Sequence, residues 1–432
     1  MQYMKRTILW IAFALAVVMP AGAQLQLSLA ECRRMALKNN EEMAKADNAV
    51  KQARMDKYIA FASYFPALSG MATGLYAKDI DMMGSTLQMR GMYMAGFSLT
   101  QPLYAGGKIM ASNKLAGIGV SSADEMRRKT EMDVIADADN AYWTYVAVGE
   151  KVKLLEAYRM QMDELYNQVT KSVEVQMATG GDQLRVEAKR SQILYQLQKA
   201  KNGMQLCRMS LCNTIGVDFE TEITPTDTNV DVMAPGQMDG TITMRPEYQL
   251  LLKNIDAQKQ QIKVARAEIL PTIGLSAQYT YYGNLKLVAA TEYGPYTQEF
   301  KDWFPAVVAS LSVPLSNWGK GIKGVKKAKL ELENAKLDLQ HNERLMNIQL
   351  QQAIQNVTDG YNMVETAGVG VTQAAENLRN MQNSYDADMC TLTDMLDAQS
   401  QWQEAYSNNI EAKTQYKIYE TEYLKVSGQL KP

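Results

Sequence analysis

Side chains that perform catalysis or hold metals are scarce in this chain, and their spacing suits neither task. The single histidine, His341, lies among polar residues of a long helical segment, which favours a surface position over a ligand or base. Neither Gly107-Lys108 nor Gly319-Lys320 forms a P-loop, since a glycine five residues earlier and a following Ser or Thr are both missing. Cysteine and histidine clusters with zinc spacing are absent from the sequence. We therefore expect no enzyme, no cofactor and no resident metal.

The sulfur-containing side chains raise two further possibilities, a disulfide and a copper site. Cys207 and Cys212 are five residues apart on a predicted helix and point in different directions, which favours free thiols over a disulfide. Thioethers bind Cu(I), so a methionine cluster admits a copper or silver exporter. We prefer the ordinary interpretation, in which methionine is adaptable apolar filling. The cluster consists of Met82, Met83, Met89, Met92 and Met94.

Residues 1–23 have the pattern of a secretory signal peptide. Lys5 and Arg6 form the basic start, residues 8–18 are apolar, and an A-x-A cleavage site ends at Ala23. A transmembrane anchor is the alternative, but the apolar run is too short to span a bilayer. Loss of the signal takes the formal net charge from -2 to about -4, which argues against nucleic acid as a partner.

A sequence pattern that occurs twice marks a predicted junction between a strand and a helix. The pattern S-L-x-x-P-L-x-x-x-G-K begins at Ser98 and again at Ser310, 212 residues later. Each copy follows an alternating run and precedes more than 100 residues without proline. We interpret it as the place where a membrane strand becomes a long helix. Its proline is expected to end strand pairing, and its glycine to let the chain redirect.

Two β-hairpins are predicted, over 67–101 and 272–314. Apolar Ile273, Leu275 and Tyr279 alternate with polar residues, as in a barrel strand with lipid outside and water inside. About ten residues suffice for a tilted spanning strand. An ordinary half-buried hairpin on a soluble sheet is the alternative. No later stretch reaches about 18 apolar residues, so a membrane helix is not expected.

Long helices account for most of the remaining chain. Ser28 and Glu31 form a capping box that begins a helix running to about residue 63, and a second leading helix covers 245–269. Long helical hairpins follow over 108–215 and 320–427. Their tips are predicted near 177–182 and 386–391, and their return helices end at glycines suited to a C-terminal cap.

The chain is thus an internal duplication. The first repeat covers 24–216 and the second covers 245–428, with a linker or small side element at 217–244. Four strands cannot close a membrane barrel, and an open sheet would leave unsatisfied groups in lipid. Two, three or four copies of the chain would supply enough strands, and these observations do not choose among them.

Across almost all of its mature length the chain resembles the TolC-like outer membrane efflux proteins. The features that carry this resemblance are the secretory signal, the L-S-L-A-E opening, the doubled junction, Arg245-Pro246-Glu247, the terminal glycines and the T-D-M-L-D-A sequence from Thr393. The resemblance implies a mixed, mainly α fold, in which long helical hairpins form an α-helical barrel. It also implies a homotrimer whose twelve-stranded β-barrel takes four strands from each chain.

The same resemblance implies a location and partners. The protein is expected in the outer membrane of a Gram-negative bacterium, with a long periplasmic extension and outer membrane lipids around the barrel. A periplasmic adaptor protein would contact the helical tips and link them to an inner-membrane pump of the RND or ABC type. The expected adaptor-contacting residues are Thr179, Gly180, Gly181, Asp182, Asp388 and Thr391.

The resemblance also places a carboxylate constriction near the tips. Asp394 and Asp397 match the family's motif, and Glu187 and Tyr385 are further gate candidates. A ring of carboxylates would attract cations and repel anions. Ordinary solvated helix residues are the alternative. An alignment of Val186-Glu187-Ala188 with Leu396-Asp397-Ala398 predicts that Leu184 corresponds to Asp394. The family's usual basic residue four positions before the first aspartate is Cys390 here.

The implied function is an exit duct for small molecules such as drugs and toxic compounds. A protein-secretion duct and a copper or silver efflux duct are alternatives with the same fold. A soluble periplasmic coiled-coil scaffold is an alternative of a different class. It predicts extraction without detergent and no pore.

Overall fold

The computed structural model describes residues 25–83, 85–227, 230, 232–238, 240–291 and 293–432. The predicted signal peptide lies outside the described residues. Helices dominate the described chain. They are α1 (Leu29–Asn39), α2 (Glu41–Ala62), α3 (Lys108–Glu174), α4 (Gly180–Ile215), α5 (Pro246–Ala267), α6 (Lys320–Asp386) and α7 (Leu392–Val426). No helix among the described residues is both long enough and apolar enough to cross a membrane.

Strands lie before the first helix and between later ones. They are β1 (Leu25–Leu27), β2 (Ala67–Tyr76), β3 (Ile80–Met82), β4 (Ser85–Gln88), β5 (Arg90–Ala105), β6 (Ile223–Pro225), β7 (Thr272–Thr291) and β8 (Gly294–Ser312). The chain divides into two units. Unit 1 contains the residues up to Asp47, Met126–Gln249 and Asn342–Pro432. Unit 2 contains Asn48–Glu125 and Leu250–His341.

The internal repeat is visible in the helix lengths. The long helices α3 and α6 have 67 residues each, and α2 and α5 have 22 each. The capping box at Ser28 and Glu31 is confirmed. The single helix predicted from 28 to about 63 is wrong, because Asn40 has an extended backbone between α1 and α2. The Asn40 side chain accepts a hydrogen bond from the Glu42 amide at 2.8 Å and so starts a new helix.

Two glycines 212 residues apart end the return helices in a left-handed conformation. Gly216 has φ +67° and Gly428 has φ +75°. A Cβ on Gly216 would lie 2.6 Å from the Cβ of Asn39, and one on Gly428 would lie 2.5 Å from the carbonyl carbon of Met244. Both positions therefore need glycine for conformation and for close approach. Gly216 therefore lies against Asn39 just before α2, and Gly428 lies against Met244 just before α5.

The strands of unit 2 form one antiparallel sheet. Its long strands are ordered β2, β5, β7 and β8, and β4 also pairs with β7. Along β7, Ile273 and Tyr279 are 39% and 48% exposed and Thr280 is 7% exposed, but Thr272 and Gln278 are exposed as well. The predicted division into a lipid-facing and a water-facing side stays a prediction. Lengths differ from the predicted ten residues. β2 has 10, but β7 and β8 have 20 and 19. The extra length of β7 explains β4, since Ser85–Gln88 pair with it opposite Ala289–Lys286.

The two copies of the junction differ at their prolines. In the second copy β8 ends at Ser312, before Pro314, as predicted. In the first copy the prediction is wrong, because Pro102 lies inside β5 opposite Gly274. Pairing with β2 stops at Thr100, and a register shift follows Pro102, so the missing N–H disrupts little. Both copies then redirect at a left-handed glycine, Gly107 (φ +81°) or Gly319 (φ +78°).

Unit 1 has an aromatic core that includes part of the 217–244 segment. The Tyr142 hydroxyl donates to the Leu27 carbonyl at 3.1 Å, and the Tyr145 hydroxyl donates to the Ile223 carbonyl at 2.9 Å. β1 and β6 pair in parallel beside them. Ile223 and Val230 are buried in this core, so the segment 217–244, which we predicted as a linker or small side element, also contributes core residues.

Candidate functional site at the helical tips

Each long helix of unit 1 ends in the same turn. The amide of Met177 donates to the Ser172 carbonyl at 2.8 Å, and the amide of Met389 donates to the Ser384 carbonyl at 2.7 Å. The residue before each methionine is left-handed without being glycine: Gln176 has φ +60° and Asp388 has φ +58°. These are Schellman-type ends, which satisfy carbonyls that a helix terminus leaves free.

A capping box starts each return helix two residues after the methionine. The Thr179 hydroxyl accepts from the Asp182 amide at 3.2 Å and donates to the Asp182 carboxylate at 2.7 Å. Thr391 and Asp394 repeat this arrangement at 3.3 and 2.7 Å. Hydrogen bonds from the threonine side chain and backbone hold the pKa of both aspartates below its usual range. Both carboxylates therefore stabilise helix starts, whatever else they do.

The repeated turn corrects the predicted correspondence between the two tips. Thr179 and Asp182 occupy the positions of Thr391 and Asp394, so the offset at the tips is 212. Asp182, and not Leu184, corresponds to Asp394. Glu187 corresponds to Gln399 and not to an acid. The shared pattern Met-x-Thr-x-x-Asp is the sequence signal that reveals this.

A cluster of buried apolar side chains determines which faces of α4 and α7 are exposed to solvent. Val186 of α4 and Leu392, Met395 and Leu396 of α7 are buried against residues of α3. Asp394, Asp397 and Glu187 are exposed. Tyr385 packs against the same cluster, and burial, followed by the charge of Asp182, raises its pKa. The structure therefore brings Asp394, Asp397 and Tyr385 to one end of unit 1.

Two basic residues of α4 lie beside this acidic stretch, and sequence reasoning missed them. Arg185 Nη1 donates to the Thr393 hydroxyl at 2.9 Å, and Lys189 Nζ donates to the Ser400 hydroxyl at 2.8 Å. Burial lowers the pKa of Lys189, and the charge of Asp397 acts in the opposite direction. Cys390 holds the position of the family's usual basic residue, and α4 places cations near the aspartates instead. Only the fold reveals this proximity.

The adaptor-contact candidates lie on the outermost turns. Thr179, Gly180, Gly181 and Asp388 are exposed. Sequence reasoning missed two apolar neighbours, because Met177 and Met389 are each 80% exposed at equivalent positions. A methionine side chain adapts to many partner shapes, so an exposed pair on the tips is suited to a protein contact.

Among the described residues, no group of three or more His, Cys, Asp and Glu side chains is placed to hold a metal ion. The four cysteines are free thiols in the structure. Burial raises the pKa of the Cys32 thiol to about 12. The side chain of Met82 lies outside the described residues, and the copper alternative stays a prediction.

A known protein family matches this chain in two segments, one in each repeat. The family model described as "Outer membrane efflux protein" matches residues 33–216 and 244–429, which are the two repeats. The chain belongs to the outer membrane efflux protein family. It is therefore an outer membrane protein, and its family is one of channels and not of enzymes.

Individual members of the outer membrane efflux protein family are distant from this chain. The "Probable efflux pump outer membrane protein TtgC" of Pseudomonas putida is 24% identical over 259 residues, which are 58% of this chain and 53% of TtgC. The chain thus spans about half the length of that relative. The "Alkaline protease secretion protein AprF" of Pseudomonas aeruginosa is 20% identical over 96% of this chain and 86% of AprF.

A solved structure shows the same fold. The CmeC outer membrane channel of Campylobacter jejuni superposes with a TM-score of 0.79 at 19% identity, over 93% of this chain and 85% of CmeC. The mainly helical fold of the efflux family is therefore confirmed for this chain.

Proposed function

We propose that this protein is the outer membrane exit duct of a tripartite export system. It passes small molecules such as drugs and toxic compounds from an adaptor and an inner-membrane pump to the outside. The observation that carries the proposal is the family match over both repeats, supported by the shared fold with an outer membrane channel. The duct itself makes and breaks no bonds.

The sheet of unit 2 supports assembly from three chains. β2 and β8 are the outer members of its four long strands, and their residues are almost all exposed, including Leu68 at 72% and Val307 at 73%. Unpaired edges and apolar faces of this kind are unstable alone in lipid or in water. Three copies of the four long strands give a twelve-stranded barrel, which removes every edge.

The tips support docking of a periplasmic adaptor. Thr179, Gly180, Gly181, Asp182, Asp388 and Thr391 surround the exposed Met177 and Met389. The methionines supply apolar contact area, and the polar turn residues supply the rim, as in protein interfaces generally. The adaptor in turn joins the duct to an RND or ABC pump.

The constriction that we propose is built from Asp394 and Asp397, with Tyr385 beside them. Three copies of each aspartate around one axis would favour cations. Arg185 and Lys189 lie next to these carboxylates and reduce the negative potential, so the preference is expected to be moderate. Glu187 is the weakest candidate, since it corresponds to Gln399 and lies outside the repeated capping box.

A protein-secretion duct is the second candidate. AprF, which is named for alkaline protease secretion, aligns with 96% of this chain, whereas TtgC aligns with 58%. The fold serves both roles, because the pump and adaptor select the cargo. Identification of the pump that co-purifies with the protein decides between them.

The duct proposal is tested by extraction and cross-linking. We expect the protein to leave the membrane fraction only with detergent and to purify as three copies. A photo-crosslinking residue at Met177 or Met389 should capture a periplasmic adaptor, and the same residue at the exposed His341 serves as the control. Extraction by salt or urea alone, with a monomer in solution, would support the coiled-coil scaffold instead.

A further inference from the structure

A cleft of about 230 Å³ lies in unit 2, where β5 passes into α3. It lies between the first turns of α3 and the last turns of α5, which line it on two sides. Backbone and apolar side chains form most of its wall, and three long cationic side chains reach it. The lining residues are Gly106, Gly107, Met110, Ala111, Lys114, Gln260, Lys263, Arg266 and Leu270.

Gly106 lies where the two walls of the cleft come into close contact. Its φ of +60° is left-handed, and a Cβ there would lie 2.8 Å from the Ala267 carbonyl oxygen and 3.0 Å from the Leu270 Cβ. The start of α3 therefore contacts the end of α5 directly, and the cleft walls are fixed by backbone contact. The first copy of the junction thus forms part of the cleft wall in addition to redirecting the chain.

The charge of the cleft is unbalanced. Lys114, Lys263 and Arg266 line it, and no carboxylate does. Within the described part of the chain none of these three cations makes an ion pair. By contrast, the neighbouring Lys259 is paired with Asp256 at 2.8 Å. All three residues are exposed, so their charges are solvated at the mouth of the cleft, and each of them attracts an anion bound there.

The helix terminus adds to the same preference. α3 begins at Lys108, so the start of this helix lies beside Gly106 and Gly107 at the cleft, with the end of α5 on the opposite wall. Amides at a helix start favour negative charge, and phosphate groups are common occupants of such positions. Arginine and lysine together are the usual side-chain partners of phosphate.

We propose that this cleft binds the phosphate headgroup of an anionic phospholipid in the leaflet that faces the periplasm. The cleft lies at the end of the sheet whose apolar face is exposed, in a protein of the outer membrane. Met110 and Leu270 line it and are 58% and 39% exposed, which provides apolar contact for the first methylene groups of a lipid. A free phosphate ion would use the cations but not these side chains.

Native mass spectrometry of the full-length protein tests the proposal. Phosphatidylglycerol and phosphatidylethanolamine with identical acyl chains are the probes. We expect preferential retention of phosphatidylglycerol by the unaltered protein. The variant Lys114→Gln/Lys263→Gln/Arg266→Gln should bind it roughly a hundredfold more weakly, since each basic residue near an anionic surface contributes about a fivefold gain in affinity.

The matched control is Lys323→Gln/Lys326→Gln/Lys329→Gln, which removes three exposed cations from the start of α6. It should retain phosphatidylglycerol to within about threefold. Equal losses in both triple variants, or none in the first, would overturn the assignment. So would inorganic phosphate that binds the cleft and is not displaced by phosphatidylglycerol. Channel recordings of the same variants keep this test separate, because we expect conductance to persist when lipid binding is lost.

Discussion

At the scale of single residues, one buried polar contact of unit 1 joins three helices. Asp139 of α3 is fully buried, and both of its oxygens accept from Arg33 of α1 at 2.7 Å. Thr421 of α7 donates to the same carboxylate at 2.7 Å. A buried carboxylate with its hydrogen bonds complete specifies how these helices pack.

Loss of this carboxylate should be costly. Asp139→Ala is expected to lower the free energy of unfolding by about 3 kcal/mol, because Arg33 keeps its charge in a mostly buried position. Asp47→Ala is the matched control, since Asp47 pairs with Arg127 in an exposed setting, and it should cost less than about 1 kcal/mol. Denaturant unfolding followed by circular dichroism measures both. Equal effects would show that burial of the pair is unimportant.

Gly106 offers a second comparison at this scale. Gly106→Ala should destabilise the protein by about 2 kcal/mol, since the residue is left-handed and its new Cβ would meet the Ala267 carbonyl. Gly117→Ala should raise stability by up to about 1 kcal/mol, because Gly117 is within α3 with open space around it. The midpoints of thermal unfolding decide. A stabilising Gly106→Ala would contradict the proposed packing of the junction.

At the scale of elements, the tip helices depend on carboxylate caps. The pKa values of Asp182 and Asp394 are lowered by their threonine partners, so these caps add stability above the unfolded-state pKa of about 3.9. That stability is lost as the pH falls through the lower folded-state pKa values. Amide protection at the starts of α4 and α7 should therefore decrease below about pH 4.

Hydrogen exchange, corrected for the intrinsic effect of pH, measures this loss of protection. Thr179→Ala and Thr391→Ala should reduce protection at neutral pH at their own helix starts and weaken the response to acid. Protection in the unaltered protein that does not change between neutral and acidic pH would refute the capping account.

The structural features that the sequence predicted correctly are encoded in local patterns. The capping box at Ser28 and the glycines that end the return helices both depend on residues a few positions apart. The break at Asn40 was missed because it carries no proline or glycine. Pro102 inside β5 was missed because only the pairing partners show which side of a strand needs its amide.

The site was harder to predict than the fold. Arg185 and Lys189 lie more than 200 residues from Thr393 and Ser400 in sequence, and nothing local connects them. The tip correspondence failed for a different reason, because a short match around Glu187 outweighed the repeated threonine and aspartate. The 212-residue period of the junctions, applied throughout, would have given the right answer.

At the scale of the whole molecule, the duplicated plan and the family match lead to one claim. We propose that the protein forms a water-filled path through the outer membrane and that its charge preference is set at the tips. Strand edges, exposed apolar faces and helical tips are all left uncovered in the single chain. In the proposed duct, assembly with copies of the chain and with an adaptor would cover them.

Single-channel recording in a planar bilayer tests this claim most directly. The account predicts discrete conducting events with a moderate preference for cations. Asp394→Asn/Asp397→Asn should reduce that preference, while Asp359→Asn/Glu376→Gln, which removes two exposed carboxylates from α6, should leave it unchanged. Purified trimers that insert and never conduct would contradict the account. A cation preference that is identical in all three proteins would remove Asp394 and Asp397 from the constriction.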